Sequence, residues 1–202
     1  MANHGVLSVL EPIPCPVFPP RFICLMCALP VGVALRELPR WRDDVQEVTQ
    51  VYRADWGLDL VPIQWNLLAS KPNTLRGVHV HTDHWDYLHI TNGEMLLGLH
   101  DLRPWSPTYR TAAQVRLTSY QPASIAIPPG VAHGFYFALL TTYFYALSHC
   151  WAPSDDLGCR WDDPEFGISW PTSDPLLSPR DTSAQSYRAL AKELASREIT
   201  RS

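Results

Sequence analysis

The chain has 202 residues, 46% of them hydrophobic and 18% charged, which supports one domain with a buried core and excludes a disordered polymer. A formal net charge of −4 offers no basic face for nucleic acid, and no apolar run is long enough to span a membrane. The odd set Cys15, Cys24, Cys27, Cys150 and Cys159, in a chain too long for a disulfide scaffold, reads as reduced thiols in a cytoplasmic protein.

Residues 1–30 are rich in proline, with Pro12, Pro14, Pro16, Pro19 and Pro20 interrupting any continuous apolar stretch. They read as a poorly ordered extension rather than a secretory signal, and Met26 is a possible alternative start. Cys24 and Cys27 form a CxxC, but no second pair follows at zinc spacing.

From about Gly57 to Ser148 short apolar runs alternate with Gly, Pro and Asn. "LVPIQWNLL", "GVHVH", "YLHIT", "EMLLGLHDL", "AQVRLT", "SIAIPP", "GFYFALL" and "TYFYALSH" predict strands of an antiparallel barrel or sandwich. "TNGE", with Asn92-Gly93, predicts a hairpin turn, and "PPG" at 128–130 predicts another turn. Beyond Pro153 the chain reads as loop, and "SAQSYRALAKELASRE" at its end has helical periodicity. The division expected is a 1–30 extension, a 31–182 barrel domain and a 183–202 helical tail.

Four of the eight histidines fall in "HVHTDHWDYLHITNG", residues 79–93. Side chains alternate along a strand, so His79 and His81 share a face. Asp86, Leu88 and Ile90 share one on the next strand, as do His133, Phe135 and Phe137 later, and then Tyr143, Tyr145 and Leu147. A closed barrel would turn a His pair, an Asp, another His and a Tyr toward one apolar interior, where polar groups need partners. His84, His89, His100 and His149 read as structural or surface residues, and His4 belongs to the leader.

The spacing of His79, His81, Asp86 and Gly93, followed by Pro128, Gly130 and His133, resembles the two cupin motifs, with Asp86 where glutamate is usual. Within cupins the chain resembles the dTDP-4-dehydrorhamnose 3,5-epimerase family. "RGVH" (76–79), "SPTYR" (106–110), "IPPGVAHGF" (127–135), "WDDPEFGISWP" (161–171) and "LSPRD" (177–181) follow that family's motifs in order.

The resemblance implies an all-β, cupin-type jelly-roll barrel with a short C-terminal helix. It also implies a homodimer, and a nucleotide-linked 4-keto-6-deoxy sugar inverted beside its ketone without a cofactor. It assigns His79 as general base, Asp181 as its orienting carboxylate and Tyr145 as acid on the opposite face. Arg76, His133 and Trp151 would line the substrate site. Gln64, Asn66, Arg42 and Glu47 match positions that hold the nucleotide and pyrophosphate.

These residue types suit the chemistry. A hydrogen α to a ketone needs a base poised near neutral pH, and histidine is the natural one. A carboxylate on its second nitrogen fixes the tautomer and stabilises the imidazolium. Inversion needs a proton returned from the other face.

Two positions depart from the family: Asp86 stands where it has lysine, and His81 where it has glutamine. Lysine would stabilise an enolate oxygen, whereas an ionised Asp86 in contact with it would repel it. Two like charges about 4 Å apart at an effective dielectric of about 20 cost roughly 4 kcal/mol, about a thousandfold in rate. Both departures resemble a metal-cupin ligand set of His79, His81, Asp86 and His133. Three readings therefore stand: an epimerase, an enzyme that uses a divalent metal ion as Lewis acid, and a sugar-nucleotide binder without turnover. Retention of Asp181 and Tyr145 favours the first.

Overall fold

A computed structural model describes residues 28–200 and the backbone of Glu11–Pro12. Of the expected poorly ordered extension 1–30, only Glu11–Pro12 and residues 28–30 are described; the rest, with His4, Met26 and the Cys15, Cys24 and Cys27 thiols, lies outside the described residues. Among the described residues thirteen strands appear in chain order. The first four are β1 (Glu11–Pro12), β2 (Ala34–Glu37), β3 (Arg40–Arg42) and β4 (Glu47–Thr49). The next four are β5 (Gln64–Ser70), β6 (Thr74–Val80), β7 (Asp86–Asn92) and β8 (Glu94–Asp101). The last five are β9 (Ala112–Thr118), β10 (Ala123–Ile127), β11 (Val131–Phe137), β12 (Thr141–Leu147) and β13 (Leu157–Gly158). Two short helices follow, α1 (Pro179–Thr182) and α2 (Tyr187–Leu194).

Two five-stranded sheets, in the orders β2-β10-β7-β12-β5 and β13-β6-β11-β8-β9, face one another as a jelly roll. β1, β3 and β4 make a small separate sheet. Within the barrel only β8 and β9 are neighbours both in the chain and in a sheet. The all-β jelly-roll expectation is borne out.

The "TNGE" turn is corrected in one respect. Gly93 does take a positive φ of 87°, but β7 and β8 belong to different sheets, so the turn is a corner between sheets and not a hairpin. Burial explains this: β7 and β8 both carry buried apolar side chains, and each sheet must present such a face to the other. "PPG" likewise turns the chain from one sheet to the other, with Gly130 at φ 78°.

The main core lies between the sheets, where Leu88, Ile90, Met95, Leu97, Leu99, Val115, Ile125, Phe135 and Phe137 meet. The outer face of the β8–β11 region is also covered, by the segment after Pro153. Trp170 lies over Gly98 and Gly134, which are register partners, and a Cβ at Gly98 would stand 2.9 Å from its ring. Burial on both faces is why β8 reads as a nearly unbroken apolar run. α2 buries Tyr187, Leu190 and Leu194 against Val78, Val80 and Phe166, and Ser186 caps its start by accepting from the Ala189 N–H.

Candidate active site

A β-bulge in β6 sets up the site. His133 of β11 pairs with His79, but Phe135, two residues on, pairs with Arg76, three residues back. The extra residue on β6 lets Arg76 and His79 both reach one pocket despite their odd separation. Gly77 sits in the bulge at φ 105°, and a Cβ there would lie 2.9 Å from the His133 carbonyl oxygen.

The pocket, of about 140 Å³, is lined by Arg76, His79, His81, Phe135, Tyr143, Tyr145, Trp151, Asp156, Arg180 and Leu68. His79 Nε2 lies 2.7 Å from Asp181 Oδ1. Asp181 is delivered by the start of α1, where Ser178 is the N-cap. Ser178 Oγ accepts from the Asp181 N–H at 3.1 Å and donates to Asp181 Oδ2 at 2.6 Å. Arg76 Nε stands 3.5 Å from the same oxygen. Burial would raise the Asp181 carboxyl, but His79, Ser178 and Arg76 together hold it below its ordinary value. Burial lowers the His79 imidazole, and Asp181 only partly offsets this, so His79 is neutral at neutral pH. With Nε2 facing a carboxylate, Nε2 carries the proton and Nδ1 is left as the basic nitrogen.

Tyr145, on β12, donates to Asp86 Oδ1 at 2.7 Å. Burial, with the Asp86 charge added, raises its phenol well above the ordinary tyrosine value. Asp86 is 1% exposed and does not line the pocket. Its burial opposes ionisation, but His81, His133 and His84 around it keep it ionised. Its charge therefore bears on the pocket through Tyr145 and not by direct contact.

The other expected residues divide. Trp151 lines the pocket, and its backbone N–H donates to Gln64 Oε1 at 2.8 Å. Gln64 Nε2 donates to Asn66 Oδ1, and Asn66 donates to the Tyr145 carbonyl, both at 3.3 Å, so the two side chains brace the β5–β12 rim. His133 is 1% exposed and lies behind the pocket wall. Arg42 and Glu47 pair in register on the small sheet, and Glu47 is held by Arg40, so neither is brought to the pocket in this chain.

His84 corrects the sequence reading. It was expected among satisfied structural or surface groups, yet it is 2% exposed and its Nε2 has no hydrogen-bond partner. His89 and His100 behave as expected, with Nδ1 on the carbonyls of Ala123 and Phe166, and His149 is exposed. Burial lowers His84, but Asp155 and Asp86 outweigh it and raise the imidazole to about 9.

Sequence reasoning missed Asp155, Asp156 and Arg180. Arg180 Nη1 pairs with Asp156 Oδ2 at 2.6 Å at the pocket edge, and "LSPRD" contained this arginine beside Asp181. The Asp155 carboxylate accepts from the Thr82 N–H, from Thr82 Oγ1 and His84 Nδ1 at 2.7 Å each, and from the Asp83 N–H at 3.2 Å. Burial opposes its ionisation, but His84 and Thr82 bring it down to about 2. Asp155→Ala is expected to cost about 3 kcal/mol in urea denaturation, since it strands buried donors. Asp155 is more acidic folded than unfolded, so its stabilisation is complete above about pH 4 and fades as pH falls through about 2. The variant's acid-denaturation curve should therefore be flatter across that window.

Barrel and pocket together define an isomerase of the jelly-roll epimerase class. The chain belongs to the dTDP-4-dehydrorhamnose 3,5-epimerase family, whose sequence profile matches residues 32–189. It is 34% identical over 131 residues to the dTDP-4-dehydrorhamnose 3,5-epimerase of Pseudomonas aeruginosa, covering 62% of this chain and 71% of that one. It is 32% identical over 171 residues to the dTDP-4-dehydrorhamnose 3-epimerase of Streptomyces niveus, covering 74% and 83%. The solved structure of NovW, a 4-keto-6-deoxy sugar epimerase from the novobiocin gene cluster of Streptomyces spheroides, superposes with a TM-score of 0.76 at 28% identity, covering 86% and 91%. ChmJ, a 3'-monoepimerase from Streptomyces bikiniensis solved with dTDP-quinovose, gives 0.75 at 26%, covering 84% and 91%. No helix among the described residues is long and apolar enough to cross a membrane.

Proposed function

We propose that this epimerase inverts C3, C5 or both in a dTDP-linked 4-keto-6-deoxy sugar by way of an enolate. His79 removes the proton α to the ketone, Asp181 steadies the imidazolium, and Tyr145 returns a proton from the other face. The observation that carries this reading is the His79–Asp181 contact of 2.7 Å in a pocket that Tyr145 also lines. Arg76 and Arg180 supply positive charge at the pocket, and Trp151 gives a half-exposed aromatic face for the ligand. Because Asp86 is not at the pocket surface, it escapes the direct repulsion that its replacement of lysine would otherwise bring.

The deciding experiment incubates the protein with dTDP-4-keto-6-deoxyglucose in D₂O. Deuterium at C3 or C5 is the expected result; absence of label with every nucleotide-linked keto sugar tried would remove the proposal. Asp181→Asn should lower the plateau of kcat/KM by about 10²–10⁴-fold. It removes a charge that raises His79, so the acidic limb of the pH profile should also move to lower pH. A profile that drops without moving would leave Asp181 a merely structural role.

A homodimer in the cytoplasm fits the same reading. Val61, Ile63, Trp65 and Leu67, in and just before the edge strand β5, are exposed apolar residues suited to a second subunit, and Cys150 and Cys159 are free thiols.

A further inference from the structure

Beside the pocket, which His81 lines, Asp86 of one sheet faces His133 of the other, with His81 and His84 from the β6–β7 connection next to them. These four side chains are between 1% and 3% exposed. In each imidazole Nδ1 is engaged by an acceptor. His81 Nδ1 lies 2.8 Å from the Asp155 carbonyl, His84 Nδ1 2.7 Å from the Asp155 carboxylate, and His133 Nδ1 3.2 Å from the Val131 carbonyl. Carbonyls and carboxylates only accept, so each Nδ1 carries a proton, and each Nε2 is the atom left to hold either a second proton or a metal ion. All three Nε2 atoms are buried without a hydrogen-bond partner. They nevertheless converge on the Asp86 carboxylate, His133 at 3.3 Å, His84 at 3.4 Å and His81 at 3.7 Å. Imidazole nitrogens turned toward a carboxylate need positive charge between them, supplied by protons on Nε2 or by a bound cation.

The geometry points to a divalent transition-metal site held by His81, Asp86 and His133, with His84 Nε2 as a further donor at the second Asp86 oxygen. Donors about 2.0–2.1 Å from a tetrahedral ion stand about 3.3–3.4 Å apart, close to the spacings here. His81, Asp86 and His133 each offer a donor within 4.8 Å of the others. Two imidazoles and a carboxylate suit iron, manganese or zinc, and the Nδ1 acceptors orient ligand rings as in known metal sites. The set differs from the one expected from the cupin motifs: His79 is committed to Asp181, and His84 faces Asp86 instead. The site rests on this geometry alone. Its role rests on the epimerase reading, where a cation would offset the Asp86 charge that opposes loss of the Tyr145 proton.

The test is titration of the metal-free full chain with Co²⁺, followed by visible absorption. One equivalent should bind with d–d bands and no thiolate charge-transfer band. Asp86→Asn and His133→Asn should each weaken binding by at least about a hundredfold. His79→Asn should leave binding intact while cutting deuterium exchange by about 10²–10⁴-fold, which separates failure of the site from failure of the epimerase reading. A folded wild type that gives no band, because protons or water meet these atoms, overturns the proposal. So do a thiolate band, binding insensitive to both cluster variants, or binding lost with His79→Asn. Circular dichroism checks that each variant folds; should the cluster variants not fold, the wild-type spectrum decides alone.

Discussion

His79→Asn is expected to reduce deuterium incorporation into dTDP-4-keto-6-deoxyglucose by about 10²–10⁴-fold, the range a positioned general base contributes. Asparagine keeps a donor for Asp181, so the α1 contact and the fold should survive. What it lacks is a nitrogen able to accept a proton at neutral pH. Burial lowers His79, so the wild-type base is already deprotonated at pH 7, and raising the pH should not rescue the variant. Mass spectrometry of the recovered sugar measures the effect, and ligand-induced thermal stabilisation shows whether binding persists. Exchange within a few-fold of wild type in a variant that still binds would move the base elsewhere.

Tyr145→Phe should separate two events that the wild type performs together. Inversion should fall by at least about 10²-fold, because no proton arrives on the second face. Exchange on the His79 face should continue, so label enters with retention of configuration. The phenol also donates to Asp86 at 2.7 Å, and its loss deprives a buried carboxylate of a donor. A stability cost of about 1–3 kcal/mol is therefore expected beside the kinetic one. Comparing label with stereochemistry by NMR distinguishes the roles. Equal loss of exchange and inversion would make Tyr145 a support for the pocket and not its acid.

The strands between Gly57 and Ser148 were legible because their apolar runs are long and bounded by Gly, Pro and Asn, whereas the two-residue β13 was read as loop. β2, β3 and β4 were not, since "ALRE", "RWR" and "EVT" are short and half charged, and β2 is held by pairing with β10 far along the chain. Asn92-Gly93 announced a turn correctly, but local chemistry carries no information on which sheet each arm joins. His79, Asp181 and Tyr145 were legible through motifs. His84 was not, because its partners, Asp155 and Asp86, include one 71 residues away whose role no local pattern marks. Arg42 and Glu47 matched family positions, yet in this chain their sheet does not reach the pocket.

The jelly-roll strand order also governs how the chain must assemble. Because β8 and β9 alone among the barrel strands follow one another directly in a sheet, every other pairing closes a long loop before it gains any ladder. Refolding should accordingly fall in the millisecond-to-second range of high-contact-order β proteins, with the β8–β9 hairpin as the early local nucleus within the barrel. His133, Asp86 and His81 would then meet only in the last stages, when the two halves close over the interior.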